Sequence, residues 1–197
     1  MLDARPLLIH CVRTDATDIA AIKVHDCAVA HCPASNAKLG HGVAPLLDML
    51  DAGVRVGIGS DSVASNNAMD LLAEARLASL MQRATRQRYD VVTAAQALAL
   101  ATLGSARALG IDSEVGSLDV GKSADLAAFP LDQRANDPVY DPVSALVFSP
   151  GARVASFVAV AGNVLVSDGQ LIGSAAHNVD LTPYATALDA WSRESNS

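Results

Sequence analysis

The first ninety residues repeat one pattern three times: a short apolar run ending on a polar residue, then a segment whose apolar positions recur at helical spacing. "RPLLIH" ends on His10 and leads into "TDATDIAAIKVHD", where cap-type residues precede Ile19, Ile22 and Val24. "CAVAH" ends on His31 and is followed by "GVAPLLDMLDAG", a helix closed by Gly53. "VRVGIGSD" ends on Asp61, and the helix "AMDLLAEARLASLMQRA" comes after it. Three strand-then-helix units in succession predict parallel strands joined by crossover helices. In such folds the site lies beyond the carboxyl ends of the strands, where His10, His31 and Asp61 all fall.

Beyond Asp90 the pattern changes. "VVTAAQALALATLGSARALGI" predicts an Ala-rich helix ending at Gly110, and a boundary is expected near Ile111 to Glu114. "VGSLDVGKSADLAAF", "PVSALVF" and "RVASFVAVAGNVLVSDGQL" then read as short β-rich runs cut by Gly, Asp and Asn. "VAGNV" predicts a hairpin turn with Gly162-Asn163 at its tip. Around "LTPYATALDAWSRES" a short terminal helix is expected, with Thr182 before Pro183 as its start.

Composition narrows the class. The chain has 197 residues, 51% of them hydrophobic, enough for one large domain or a domain with a smaller companion around a sizeable core. Fourteen basic against 21 acidic residues give a net charge of −7, and the absence of a Lys/Arg block argues against nucleic acid as a partner. The start lacks the pattern of a secretory signal, and no run approaches the ~18 apolar residues of a membrane span. A soluble, cytoplasmic protein is expected, with Cys11, Cys27 and Cys32 as reduced thiols.

The polar residues admit more than one role. Asp61, between two serines and before a helix, reads equally as an N-cap or turn former and as a carboxylate that binds metal or moves a proton. His10 and His31 gain weight from their matching places in successive units. The His10-Cys11 and His31-Cys32 pairs lack a C-x-x-C knuckle, and strand alternation turns each Cys away from its His, so the cysteines read as small core residues. "GIGSDS" lacks the third glycine and the lysine of a phosphate loop, and Ser60, Ser62 and Ser65 lack a nucleophile elbow. His25, His41 and His177 read as surface or structural residues.

Three stretches, "LLIHCVRTDATDIAAI", "VAHCPASNAKLGHGVAPLLDMLDAGVRVGIGSDSVASNN" and "GSLDVGKSADLAAFPLD", together resemble the carboxyl-terminal half of the amidohydrolase superfamily. The likeness runs from about Pro6 to Leu171. It is nearest to the chlorohydrolase and aminohydrolase branch, with its S-adenosylhomocysteine/methylthioadenosine, guanine-type and 8-oxoguanine deaminases. The resemblance implies an α/β fold: part of a (β/α)8 barrel (strands six to eight with their helices) over 1–112, part of a small β-sandwich over 113–176, and a terminal helix or tail over 177–197. It implies one divalent metal, usually zinc. His10 matches the histidine after strand six that hydrogen-bonds the attacked centre or the metal-bound hydroxide, and Asp61 the aspartate after strand eight that touches the metal and takes the proton of its water. His31 matches a histidine after strand seven, while Ser35, Asn36, Ser65, Asn66 and Asn67 match loop positions that shape the pocket wall. Bound zinc lowers the pKa of water from about 15.7 to ~7, and a carboxylate beside it can pass the proton to departing ammonia.

The family's HxH pair after strand one and its strand-five histidine have no counterpart in this sequence. A complete barrel takes about 250 residues. The expectation is therefore a fragment of a purine- or adenosine-type deaminase whose other metal ligands lie outside this chain, metal-poor and inactive alone. Alternatives are a half-barrel that binds or assembles with a complementing chain or with itself, and a dechlorinating hydrolase of the same family.

Overall fold

A computed structural model describes residues 1–131, 138–149 and 154–173, with positions 182, 185, 186 and 193. The fold is mixed α/β. Its first sheet holds three parallel strands in the order β1 (Leu7–Ile9), β2 (Ala28–His31), β3 (Arg55–Ile58). Helix α1 (Ala16–Val24) joins the first two strands. Asp15 opens it, accepting from Thr17 N and Asp18 N while Asp18 reaches back to the Asp15 amide. Between β2 and β3 run α2 (Pro33–Lys38) and α3 (Leu46–Asp51). After β3 come the single turn α4 (Val63–Asn66) and the long α5 (Leu71–Arg86). Helix α5 starts three residues after Ala68, where the sequence pattern begins it, because Asp70 is its N-cap and accepts from Ala73 N.

Val29, Val56 and Ile58 pack with Leu46 and Met49 of α3, Ala75 and Ala78 of α5, and Ala94 and Ala97 of α6 (Ala94–Ala99). Helix α6 continues through a π turn (Leu100–Gly104) into α7 (Ser105–Leu109), closed by Gly110 in the left-handed conformation. The π turn brings Ser105 against β3, an edge strand of its sheet. Its Oγ accepts from Ile58 N (3.0 Å) and shares its proton between Ile58 O (3.1 Å) and Leu100 O (2.8 Å). The helix thereby satisfies polar edge groups that a neighbouring strand would otherwise pair.

The second sheet is antiparallel, in the order β4 (Leu126–Ala128), β5 (Phe157–Val160), β6 (Asn163–Ser167), β7 (Gln170–Leu171). Two expectations fail here. "PVSALVF" is helix α8 (Pro142–Phe148), not a strand: Asp141 accepts from Val143 N and Ser144 N, Pro142 takes the first helical position, and Val147 enters the core. The hairpin tip is Ala161-Gly162, one residue earlier than expected, since Asn163 pairs with Val160. Both tip residues have positive φ, as a two-residue turn demands, and the Ala161 amide donates to Asp125 Oδ1 at 2.5 Å. The expected terminal helix falls mostly outside the described residues, as does His177. No helix among the described residues is long and apolar enough to cross a membrane.

Candidate functional site

Backbone hydrogen bonds run past the strands on the side where the polar residues gather: His10 N donates to Ala30 O (3.0 Å) and Gly59 N to His31 O (2.9 Å). This registers the three strand ends beside one another. The chain then turns sharply. His10 sits at φ +67 in a three-residue turn, with Cys11 N donating to Ile9 O, and Asp61 sits at φ +58. Positive φ costs a residue with a side chain energy and persists where surrounding contacts impose it.

Around Asp61 those contacts are explicit. Ser62 N donates to Oδ1 (2.7 Å), and Ser35 Oγ (2.6 Å) and Ser65 Oγ (2.9 Å) both donate to Oδ2. Led by the Ser35 bond, they hold the carboxyl pKa down to about 2, so the group is anionic at neutral pH. His10 Nε2 lies 3.7 Å from Oδ2. Of the two readings open for Asp61, the capping role belongs to its neighbour: Ser62 is the N-cap of α4 and accepts from Ala64 N.

The other predicted residues divide. Ser35 and Ser65 meet on Asp61, but Ser35 and Asn36 lie on α2, and Ser65 and Asn66 on α4, rather than on loops. Asn66 Nδ2 donates to Ser60 O (2.9 Å) and to Glu74 Oε1. Asn67 accepts from Lys38 Nζ. Asn36 is buried, and neither of its side-chain polar atoms finds a partner among the described residues. His31 is buried with Nδ1 unpartnered; burial first, and neighbouring His10 second, push its pKa down to about 4. The cysteines are free, Cys27 and Cys32 buried and Cys11 partly so.

Glu74 escaped the sequence reading. It is 1% exposed on α5 and accepts from Ala34 N (2.9 Å) as well as from Asn66. The available signal was its place on a helical stripe with Ala78 and Gln82, both buried.

A divalent metal of the implied kind wants about three protein ligands. The Asp61 carboxylate fits one such position, being anionic at a strand end with an imidazole beside it. Among the described residues no group of three His, Cys, Asp or Glu side chains converges on a point. Among the described residues, then, Asp61 stands without the two further converging ligands that such an ion wants.

The model of the Amidohydrolase family matches residues 2–165. A 5-methylthioadenosine/S-adenosylhomocysteine deaminase of Moorella thermoacetica is 42% identical over 171 residues, covering 87% of this chain and 40% of the relative. An S-triazine hydrolase of Gordonia rubripertincta is 34% identical over 85% of this chain and 35% of the relative. Among solved structures, an adenosine deaminase from Xanthomonas campestris with bound zinc superposes with a TM-score of 0.82 at 31% identity, covering 94% of this chain and 41% of that one. The chain thus spans about two fifths of the length of the relatives it matches.

Proposed function

The chain belongs to the amidohydrolase family, in its aminohydrolase and chlorohydrolase branch, and from that premise we propose that it is the carboxyl-terminal part of a metal-dependent deaminase acting on adenosine-type substrates. The observation that carries the reading is the Asp61 carboxylate, held anionic by Ser35, Ser62 and Ser65 and facing His10 Nε2. In this reading residues 1–112 form the last three units of a (β/α)8 barrel and 113–176 part of a β-sandwich.

Asp61 would hold zinc together with ligands from the rest of a full-length enzyme, and the ion supplies an acidified water, with a pKa near ~7. The chain's own residues do the remainder. Asp61 accepts the water's proton at Oδ2 and returns it to the leaving nitrogen, so that a C–O bond forms, a C–N bond breaks and ammonia departs. His10 Nε2 hydrogen-bonds the attacked centre, where negative charge develops on the oxygen or nitrogen bonded to the carbon. His31 stays neutral at working pH and shapes the pocket with Ser35, Asn36, Ser65, Asn66 and Asn67. The missing barrel half comes from the rest of that enzyme or from a complementing chain, in the cytoplasm, with homo-oligomerisation as a further level of assembly. A second reading, hydrolysis at a triazine carbon, draws support from the 34% identity to the S-triazine hydrolase.

The test is ammonia release from 5-methylthioadenosine, S-adenosylhomocysteine and adenosine by the gene product as its own cell makes it, beside the Asp61→Asn variant. Turnover should fall about 10²–10⁴-fold in the variant. Ammonia from none of the three, or a variant as active as the parent, refutes the deaminase reading. Chloride released from a chlorinated triazine in place of ammonia would favour the second.

A further inference from the structure

We propose that Glu74 is the positioning residue for the Asp61 carboxylate, acting through α2 and α4 without touching it. Two short helices deliver the side chains that fix Asp61: Ser35 on α2 and Ser65 on α4. Neither helix is long enough to hold its own orientation, and α2 lacks a side-chain cap. Glu74 binds both. Its Oε2 accepts from Ala34 N, one residue before Ser35, and its Oε1 accepts from Asn66 Nδ2, one residue after Ser65. The Asn66 amide also donates to Ser60 O, the carbonyl that precedes Asp61. One buried carboxylate on the long, rigid α5 thus ties together the two serine-bearing turns and the backbone entering Asp61.

Fold stability alone does not account for it. Burial pushes Glu74's pKa above the ordinary glutamate value, against the pull of its Ala34 and Asn66 hydrogen bonds. A buried anion of that kind is weak evidence for stabilisation, since apolar replacements often serve the fold as well. What an apolar residue could not supply is acceptors on both oxygens at once.

The inference rests on the deaminase reading only for what Asp61 does; how Asp61 is held can be measured without catalysis. The variant is Glu74→Gln, nearly identical in shape, whose single oxygen leaves its NH2 facing either the Ala34 amide or the Asn66 amide, donor against donor. The probe is backbone amide hydrogen exchange by NMR on the 197-residue chain. Ser62 N–H, which binds Asp61 Oδ1, should exchange about tenfold faster, while Val56 and Ala97 in the core keep their rates. Uniform acceleration at all three sites would reveal a role in stability alone and overturn the proposal, as would an unchanged Ser62. If Glu74→Gln fails to fold, Glu74→Asp keeps the charge on a side chain one methylene too short to reach both turns, and leaves the Asn66 bond to Ser60 O in place. Faster exchange at Ser62 with Val56 and Ala97 unchanged then supports the proposal, and an unaffected Ser62 overturns it. Failure of the ammonia assay with a responsive Ser62 removes the deaminase reading and leaves the positioning role standing.

Discussion

Gly57→Ala tests how α7 is seated on β3. A Cβ added at Gly57 would lie 2.6 Å from Ser105 Cα, 3.0 Å from its Oγ and 3.2 Å from its Cβ. The first contact is with backbone, so no side-chain rotation relieves it, and Ser105 must withdraw by most of an ångström. That motion stretches the bonds from Ser105 Oγ to Ile58 and Leu100. Overpacking of this sort costs about 1–3 kcal/mol, and each hydrogen bond lost about 0.5–1.5 kcal/mol. Strain and broken bonds are alternative ways of absorbing one displacement and do not sum in full, and reduced freedom of the unfolded chain returns about 0.4–1 kcal/mol. A net loss of about 2–4 kcal/mol lowers Tm by roughly 5–12 °C for a chain of this size. Circular-dichroism melting reads it directly. A double-mutant cycle with Ser105→Ala sharpens it: the hydroxyl's bonds are already displaced in Gly57→Ala, so the two losses should fall short of additive by about 0.5–1 kcal/mol. A Tm within roughly 2 °C of the parent, or strict additivity, would refute the reasoning.

Two further outcomes are expected. His31 has its pKa pushed down to about 4 by burial and by His10; a lowered base favours the fold while neutral, so its contribution is present above the unfolded value of about 6.5 and is lost as pH falls through about 4. His31→Leu should therefore flatten the decline in urea midpoint between those two pH values, and an unchanged slope would contradict this. Asp141→Ala removes the cap that accepts from Val143 N and Ser144 N and should cost about 1 kcal/mol, read as a lower denaturant midpoint at constant slope.

The three parallel strands were legible because each carries residues that must face the core, and a polar residue marks the end of each run. Helix α8 was not: Val143, Val147 and Phe148 are residue types common in strands, and the helix shows only in the Asp141-Pro142 start and the four-residue spacing of the two valines. Helix α2 was hidden for a different cause. It has six residues, and its buried positions are Pro33, Ser35 and Asn36, so it shows no apolar stripe to read.

The candidate site divides along the same line. His10 and Asp61 stand out in the sequence as titratable side chains at strand ends, whereas Ser35 and Ser65 read only as loop positions of a pocket wall, and their bonds to Asp61 emerge with α2 and α4. Glu74 does not stand out, because an acidic residue in a helix ordinarily faces water, and one of its two partners is the Ala34 backbone amide, which every residue but proline carries and no sequence pattern marks. Residues that touch the reacting atoms are constrained in type and can be sought by chemistry. A residue that holds them in place is constrained only by where the chain happens to bring a donor, and it becomes visible when α2, α4 and α5 are packed together. The positions to probe after Asp61 are therefore buried polar groups on rigid helices one contact away from it, of which Glu74 satisfies both turns at once.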